Sequence, residues 1–213
     1  MTPEEPTRQK MRIAVVGATS RTGLHLLAEA ARRGHEVAAA TRRPGALPAD
    51  TPARTVTGDG RDPRVVTEVI AGADAVIAIV NGGDRADPHR AEHVLRTVTA
   101  AMAAEGVRRL VVTSAYPIVG ERPRLAIWLL NRLLATSYAD VRAMEALVRA
   151  TDLDWTIARL NRLTDKPPTG RVTCSGDLLD SPRPMSRADS AAALLDLAES
   201  RERGRTAVNL CGA

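Results

Sequence analysis

The chain has 213 residues, 44% of them hydrophobic and 26% charged, the balance of a globular interior under a solvated surface and enough length to bury a core without staples. Two cysteines, Cys174 and Cys211, with no paired spacing, argue against a disulfide scaffold and a zinc ribbon and fit a reducing cytoplasm. A formal charge of +5 raises the question of nucleic acid, but the basic residues are scattered singles and pairs, nearly all arginine, with only two Trp and two Tyr to stack on bases, so no nucleic-acid partner is expected.

Residues 1–10 read as a flexible polar leader ahead of one domain over residues 11–213, and no apolar run reaches the length of a membrane span, so no membrane partner is expected. Met11–Val16 is a β-branched apolar run that stops at Gly17, and Thr22–Ala31 follows with helical spacing until Arg33-Gly34 closes it. Strands are then expected at Glu36–Thr41 and Ala53–Thr57, a helix over Pro63–Ile70, and a doubly buried strand at Ala75–Val80. Helix Pro88–Glu105, strand Arg109–Thr113, a helix at Leu125–Leu134, a helix within Ala139–Ala150, strand Trp155–Ala158, helix Arg187–Glu199 and strand Ala207–Leu210 complete the series. Strands alternating with helices over short connections imply parallel β-α-β units wound into one sheet, an α/β fold of the three-layer, doubly wound Rossmann type. The irregular stretches 116–138 and 161–185 follow late strands, and at that carboxyl edge they are expected to build a small substrate region.

The strongest chemical signal is Gly17-Ala18-Thr19-Ser20-Arg21-Thr22-Gly23, set between the first strand and the first helix. Gly17 permits a tight turn, Gly23 lets the helix approach the sheet, and the N–H groups of the helix start face a pyrophosphate. A fold that grips the ribose 2′-hydroxyl of NAD usually carries Asp or Glu about twenty residues further on, whereas this chain carries Thr41-Arg42-Arg43. Two guanidinium groups suit a 2′-phosphate, so NADP(H) is the expected cofactor. The tyrosine-plus-lysine pair of many short-chain reductases is missing: Tyr138 has Arg142 at that spacing, and the segment reads as an ordinary amphipathic helix. His89-Arg90-Ala91-Glu92-His93 matches a short zinc-peptidase pattern, but lies between strands of a nucleotide-binding sheet, and no metal is expected.

Taken in order, these segments resemble the atypical short-chain dehydrogenase/reductases with NAD(P)H-binding domains, and within them the flavin reductase/biliverdin-IXβ reductase group. The resemblance rests on the glycine turn, Thr41-Arg42, Gly58-Asp59, Thr113-Ser114-Ala115-Tyr116, Leu163-Thr164-Asp165 with Pro168-Thr169-Gly170, and Ser186-Arg187-Ala188-Asp189. It implies that Asp59 and Gly60 border the adenine, Val80-Asn81-Gly82 the cofactor ribose and linker, and Thr113 and Ser114 the nicotinamide end. Ser20 departs from the glycine usual in mid-turn, and its Cβ is expected to crowd the pyrophosphate unless its hydroxyl binds it. Asn161 and Arg162 stand where that group tends to place substrate-side histidines. Ser114 is expected to orient a nicotinamide or substrate carbonyl, with Tyr116 an alternative donor or a pocket wall, and helix 125–134 is expected to line the same pocket or to meet another subunit.

The expected activity is NADP(H)-dependent hydride transfer to a small acceptor, a flavin, quinone or other conjugated carbonyl compound, by a cytoplasmic monomer or homodimer. The same features also fit a dinucleotide-sensing regulatory protein similar to NmrA-like proteins, or an epimerase or isomerase that recycles its nicotinamide.

Overall fold

The computed structural model describes residues 9–43, 45–47, 51, 53–122, 124–200 and 204–213. Most of the expected leader therefore lies outside the described residues. Strands β1 (Arg12–Val16), β2 (Glu36–Thr41), β3 (Ala53–Thr57), β4 (Ala75–Ala78), β5 (Arg109–Ala115), β6 (Asp154–Leu160), β8 (Val172–Ser175) and β10 (Thr206–Gly212) form one sheet in the order β3-β2-β1-β4-β5-β6-β10-β8. Every neighbouring pair is parallel except β10 and β8. The order in which strands are added to the sheet reverses between β1 and β4, the switch point at which such sheets bind ligands.

Alternation along β1 shows how the sequence divides the core. Ile13 and Val15 pack with Leu26 and Leu27 of α1 (Arg21–Arg32) and Leu194 and Leu195 of α6 (Arg187–Glu199). Ala14 and Val16 point the other way, into a cluster with Val66 of α2 (Pro63–Ile70), Leu95 and Met102 of α3 (Arg90–Glu105) and Met144 of α5 (Ala135–Arg149). Two apolar layers on one sheet give the three-layer, doubly wound architecture expected from the β-α alternation.

Four local differences from the sequence reading have physical causes. Strand β4 stops at Ala78, because the backbone of Val80 turns to the Thr113 side chain, donating to its Oγ at 3.0 Å and accepting from it at 3.2 Å. Strand β5 runs on through Ala115, so Ser114 is a strand residue and not part of a turn. The edge strand β8 is antiparallel, and β7 (Leu163–Thr164) with β9 (Met185–Ser186) makes a separate two-stranded sheet beyond the carboxyl edge. Finally, α4 (Arg124–Leu133) carries Leu125, Trp128 and Leu133 at 77%, 62% and 70% exposure, which places these side chains in solvent and away from the cleft lining.

Candidate active site

At the end of β1 the chain must turn sharply under β4. Gly17 adopts φ +87°, and a Cβ there would stand 2.1 Å from the Ile79 carbonyl oxygen. A Cβ on Gly23 would meet the carbonyl oxygens of Gly17 and Ala18 at 2.5 Å, so both glycines are required for the helix to sit this close to the strand. Ser20 is the N-cap of α1: its Oγ accepts from Gly23 N at 3.0 Å. The Ser20 hydroxyl is thus engaged with its own helix. The N–H groups of Arg21 and Thr22, in the first turn, have no acceptor within that helix.

The cleft above this turn has two connected halves. One, about 450 Å³, is lined by Gly17, Thr19, Ser20, Arg42, Arg43, Asp59, Gly60, Arg61, Val80 and Asn81. Arg42 and Arg43 are exposed, and neither guanidinium makes a hydrogen bond or ion pair among the described residues. Arg61, by contrast, is tied to Asp59 and Asp87 at 2.9 and 3.1 Å. The hydrogen bond from Arg61, with the charge of Arg42 behind it, holds the Asp59 carboxyl below the usual carboxylate range.

The second half, about 400 Å³, shares Ser20, Ile79, Val80 and Asn81 with the first and continues over Arg21, Thr22, Gly82, Thr113, Ser114, Ser137, Tyr138, Asn161 and Arg187. A buried carboxylate fixes the loop between these halves. Asp140 accepts from the N–H groups of Gly83, Ala91 and Glu92 at 2.7, 2.8 and 3.1 Å, tying residues 81–90 and the start of α3 to α5. His89, Glu92 and Asp140 bring ligand-type atoms within 4.8 Å of one another, but the Asp140 carboxylate is occupied by those three donors. His93 is not in that group.

Behind the second half lies an ion cluster that the sequence reading missed. Ser114 Oγ donates to Glu145 Oε1 at 2.6 Å, and Arg159 grips the same carboxylate through Nε at 2.9 Å and Nη2 at 2.6 Å. Burial opposes ionisation of Glu145, but the hydrogen bonds from Arg159 and Ser114 outweigh it and hold its pKa below the ordinary value. The sequence did carry a signal. Val141, Met144 and Val148 form the buried stripe of α5, and position 145 falls on it, where an acid demands a cationic partner.

Tyr138 was read as a plain helix residue, yet it lines the cleft beside Ser114, and its hydroxyl has no hydrogen-bond partner among the described residues. Burial pushes its pKa up, with Arg142 pulling the other way. Tyr116 corrects the expectation for a cleft residue: it is buried under Gly120, and its hydroxyl accepts from Leu179 N at 3.0 Å and donates to Leu179 O at 3.1 Å. Its donor is committed away from the cleft. Asn161 reaches the lining, though its side-chain amide donates to Arg183 O at 3.0 Å, whereas Arg162 is exposed and outside the lining. The matching segments 168–170 and 186–189 do meet: Asp189 accepts from the N–H groups of Thr169 and Gly170 and from the Ser186 hydroxyl, fastening a loop beside the cleft.

A sheet with its switch point under a glycine turn, free helix N–H groups and a cationic cleft wall defines a dinucleotide-binding protein of the Rossmann type. Residues 17–201 match the family model described as NAD(P)H-binding, and the chain belongs to that family. Solved structures share the fold at low identity. An oxidoreductase from Lactococcus lactis is 19% identical, with a TM-score of 0.82 over 95% of this chain and 91% of its own. A wide-type short-chain dehydrogenase/reductase from Veillonella parvula, in complex with NADP, is 17% identical with a TM-score of 0.80 over 95% of both chains. ChuY, an anaerobilin reductase from Escherichia coli O157:H7, is 21% identical with a TM-score of 0.77 over 94% and 97%. Among the described residues, no helix is long and apolar enough to cross a membrane.

Proposed function

We propose that this protein is an NADP(H)-dependent reductase acting on a planar, conjugated acceptor such as a flavin or quinone. The observation that carries this reading is the pair Arg42 and Arg43, two exposed guanidinium groups without hydrogen-bonded partners at the cleft end where a 2′-phosphate belongs. An unphosphorylated ribose finds no carboxylate at that position, because Asp59 is already held by Arg61. The N–H groups of Arg21 and Thr22 hold the pyrophosphate, and Asn81 and Gly82 flank the linker. The nicotinamide supplies the hydride when the cofactor is bound.

At the other end the protein supplies position and exclusion of water. Ile79, Val141, Leu160 and Leu163 give the cleft apolar walls, and Ser114 and Tyr138 give it hydroxyl groups. With its pKa raised by burial, Tyr138 keeps its proton at neutral pH and serves as a donor. A flavin or quinone needs little more, since the negative charge that arrives with the hydride is delocalised over its ring system.

The test follows NADPH oxidation by nicotinamide absorbance with and without FMN, riboflavin and a simple quinone, repeated with NADH. Consumption that depends on the acceptor and prefers NADPH is expected. Replacing both arginines (Arg42→Ala/Arg43→Ala) should lower NADPH affinity by roughly tenfold or more and leave NADH affinity nearly unchanged. Binding without turnover for every acceptor would replace the reductase with a dinucleotide sensor.

A further inference from the structure

The Ser114 hydroxyl has one proton, and the geometry shows where it goes. Glu145 faces two donors, Ser114 at 2.6 Å and the Arg159 fork at 2.9 and 2.6 Å, with Arg149 a further 3.4 Å from Oε2. A carboxylate gripped in two places by a guanidinium is ionised and can only accept. The proton in the Ser114–Glu145 bond is therefore the serine's own. What Ser114 offers the cleft is its lone pairs, made more basic by the charge behind them. A substrate or nicotinamide carbonyl, itself an acceptor, finds no donor there.

We propose that Glu145, clamped by Arg159, is a positioning residue that fixes Ser114 as an acceptor, so that Ser114 recognises the carboxamide NH2 of the nicotinamide and not its carbonyl oxygen. This rests on the reading of the cleft as a nicotinamide dinucleotide site, and it replaces the expectation that Ser114 donates to a carbonyl. The residues involved come from three elements, β5, α5 and β6, so the polarity of the site is set by the packing of the whole carboxyl edge.

The experiment compares the affinity of the full-length protein for NADP+ with that for two analogues. The thionicotinamide analogue keeps the NH2 and changes the carbonyl, whereas the 3-acetylpyridine analogue keeps the carbonyl and replaces the NH2 by a methyl group. The wild type should bind the first within about twofold of NADP+ and the second roughly three- to tenfold more weakly, the worth of one hydrogen bond. Ser114→Ala should bring the two analogues to equal affinity. Glu145→Gln lets an amide donate to Ser114 and free the hydroxyl proton, and should shrink the ratio in the same direction. A purely structural role for Glu145 would weaken both analogues alike and leave the ratio unchanged, which overturns the proposal. Equal binding of the analogues by the wild type overturns it as well. If Glu145→Gln does not fold, the wild type and Ser114→Ala decide. Affinity for 2′,5′-ADP serves as the reference: retained binding of that fragment with no preference between analogues sinks the Ser114 assignment alone, whereas no binding of any probe sinks the cofactor reading with it.

Discussion

The two halves of the cleft solve opposite electrostatic problems. Around the end of β2, Arg42 and Arg43 stand exposed without hydrogen-bonded partners, cations that the fold has left for a ligand to neutralise. Around the ends of β5 and β6, the charges of Glu145 and Arg159 are buried against each other, Ser114 and Tyr138 bring hydroxyl groups to the cleft, and the arginines of its lining, Arg21 and Arg187, are paired with Asp165. On the proposed reading, the first half gains affinity from exposed charge that salt screens. The second holds its geometry through a desolvated pair that is costly to break from either side. On the proposed reading, binding is concentrated at the adenosine end and orientation at the nicotinamide end, the division expected when remote contacts hold a cofactor and near ones aim it.

The largest effect should come from the point where the halves share a backbone. In Gly17→Ala, a Cβ placed 2.1 Å from the Ile79 carbonyl oxygen, on a residue at φ +87°, forces β1 and the chain after β4 apart. We expect a loss of about 3 kcal/mol or more in urea denaturation and no measurable NADPH binding. Wild-type binding by this variant would show that the two halves move independently of the turn. Next in size is Asp140→Ala. It leaves the N–H groups of Gly83, Ala91 and Glu92 without their acceptor, at about 1–3 kcal/mol for each that water cannot reach. Because Asn81 and Gly82 lie in both the cleft and this loop, stability should fall by about 3 kcal/mol and the KM for NADPH should rise, with kcat changed less.

Acid separates the halves further. The folded pKa of Glu145 lies below its ordinary value, so its contribution is complete above the ordinary carboxylate range and is lost as pH falls through the folded value. Between those limits the unfolded chain binds the proton first, and stability must fall with falling pH. The Glu145 contribution to that slope should disappear in Glu145→Gln. Asp59, depressed by the exposed Arg61, should contribute far less, so Asp59→Asn should leave the slope of urea stability between pH 5 and 3 close to wild type. Equal flattening by both variants would contradict the contrast between a buried pair and a screened one.

What could be read from the sequence follows the same divide. The adenosine half is written in contiguous residues, a glycine turn and two arginines after a strand, and local patterns of that kind survive without knowledge of the fold. The other half joins residues 114, 145 and 159; the family resemblance marked Ser114, but Glu145 and Arg159 are unremarkable among their own neighbours. Only the position of Glu145 on the apolar stripe of α5 marked it as a buried acid in need of a partner. Tyr116 shows the converse. An aromatic just past a strand end reads as a pocket wall, but Gly120 leaves room for the ring to tuck beneath it, where a Cβ would come within 2.9 Å of Tyr116 Cε1. The antiparallel β8 escaped notice because Val172-Thr173-Cys174-Ser175 is only four residues long, too short an alternation to stand out within the irregular stretch 161–185.

The smallest effect concerns Ser20, where cap and cofactor compete for the same few atoms. If its Cβ crowds the pyrophosphate, Ser20→Gly should tighten NADPH binding. If its hydroxyl serves mainly α1, Ser20→Gly should cost only a few tenths of a kcal/mol and Ser20→Ala about 1 kcal/mol, with affinity changed less than twofold in either. The structure favours the second outcome: Ser20 takes the extended conformation of an ordinary N-cap, φ −70° and ψ 157°, and its Oγ turns back to Gly23 N. On the proposed reading the Arg21 and Thr22 N–H groups would then carry the anion, because a serine at the cap position does not engage them. A gain in affinity of severalfold in Ser20→Gly would show instead that the turn is tighter on its ligand than the cap geometry implies.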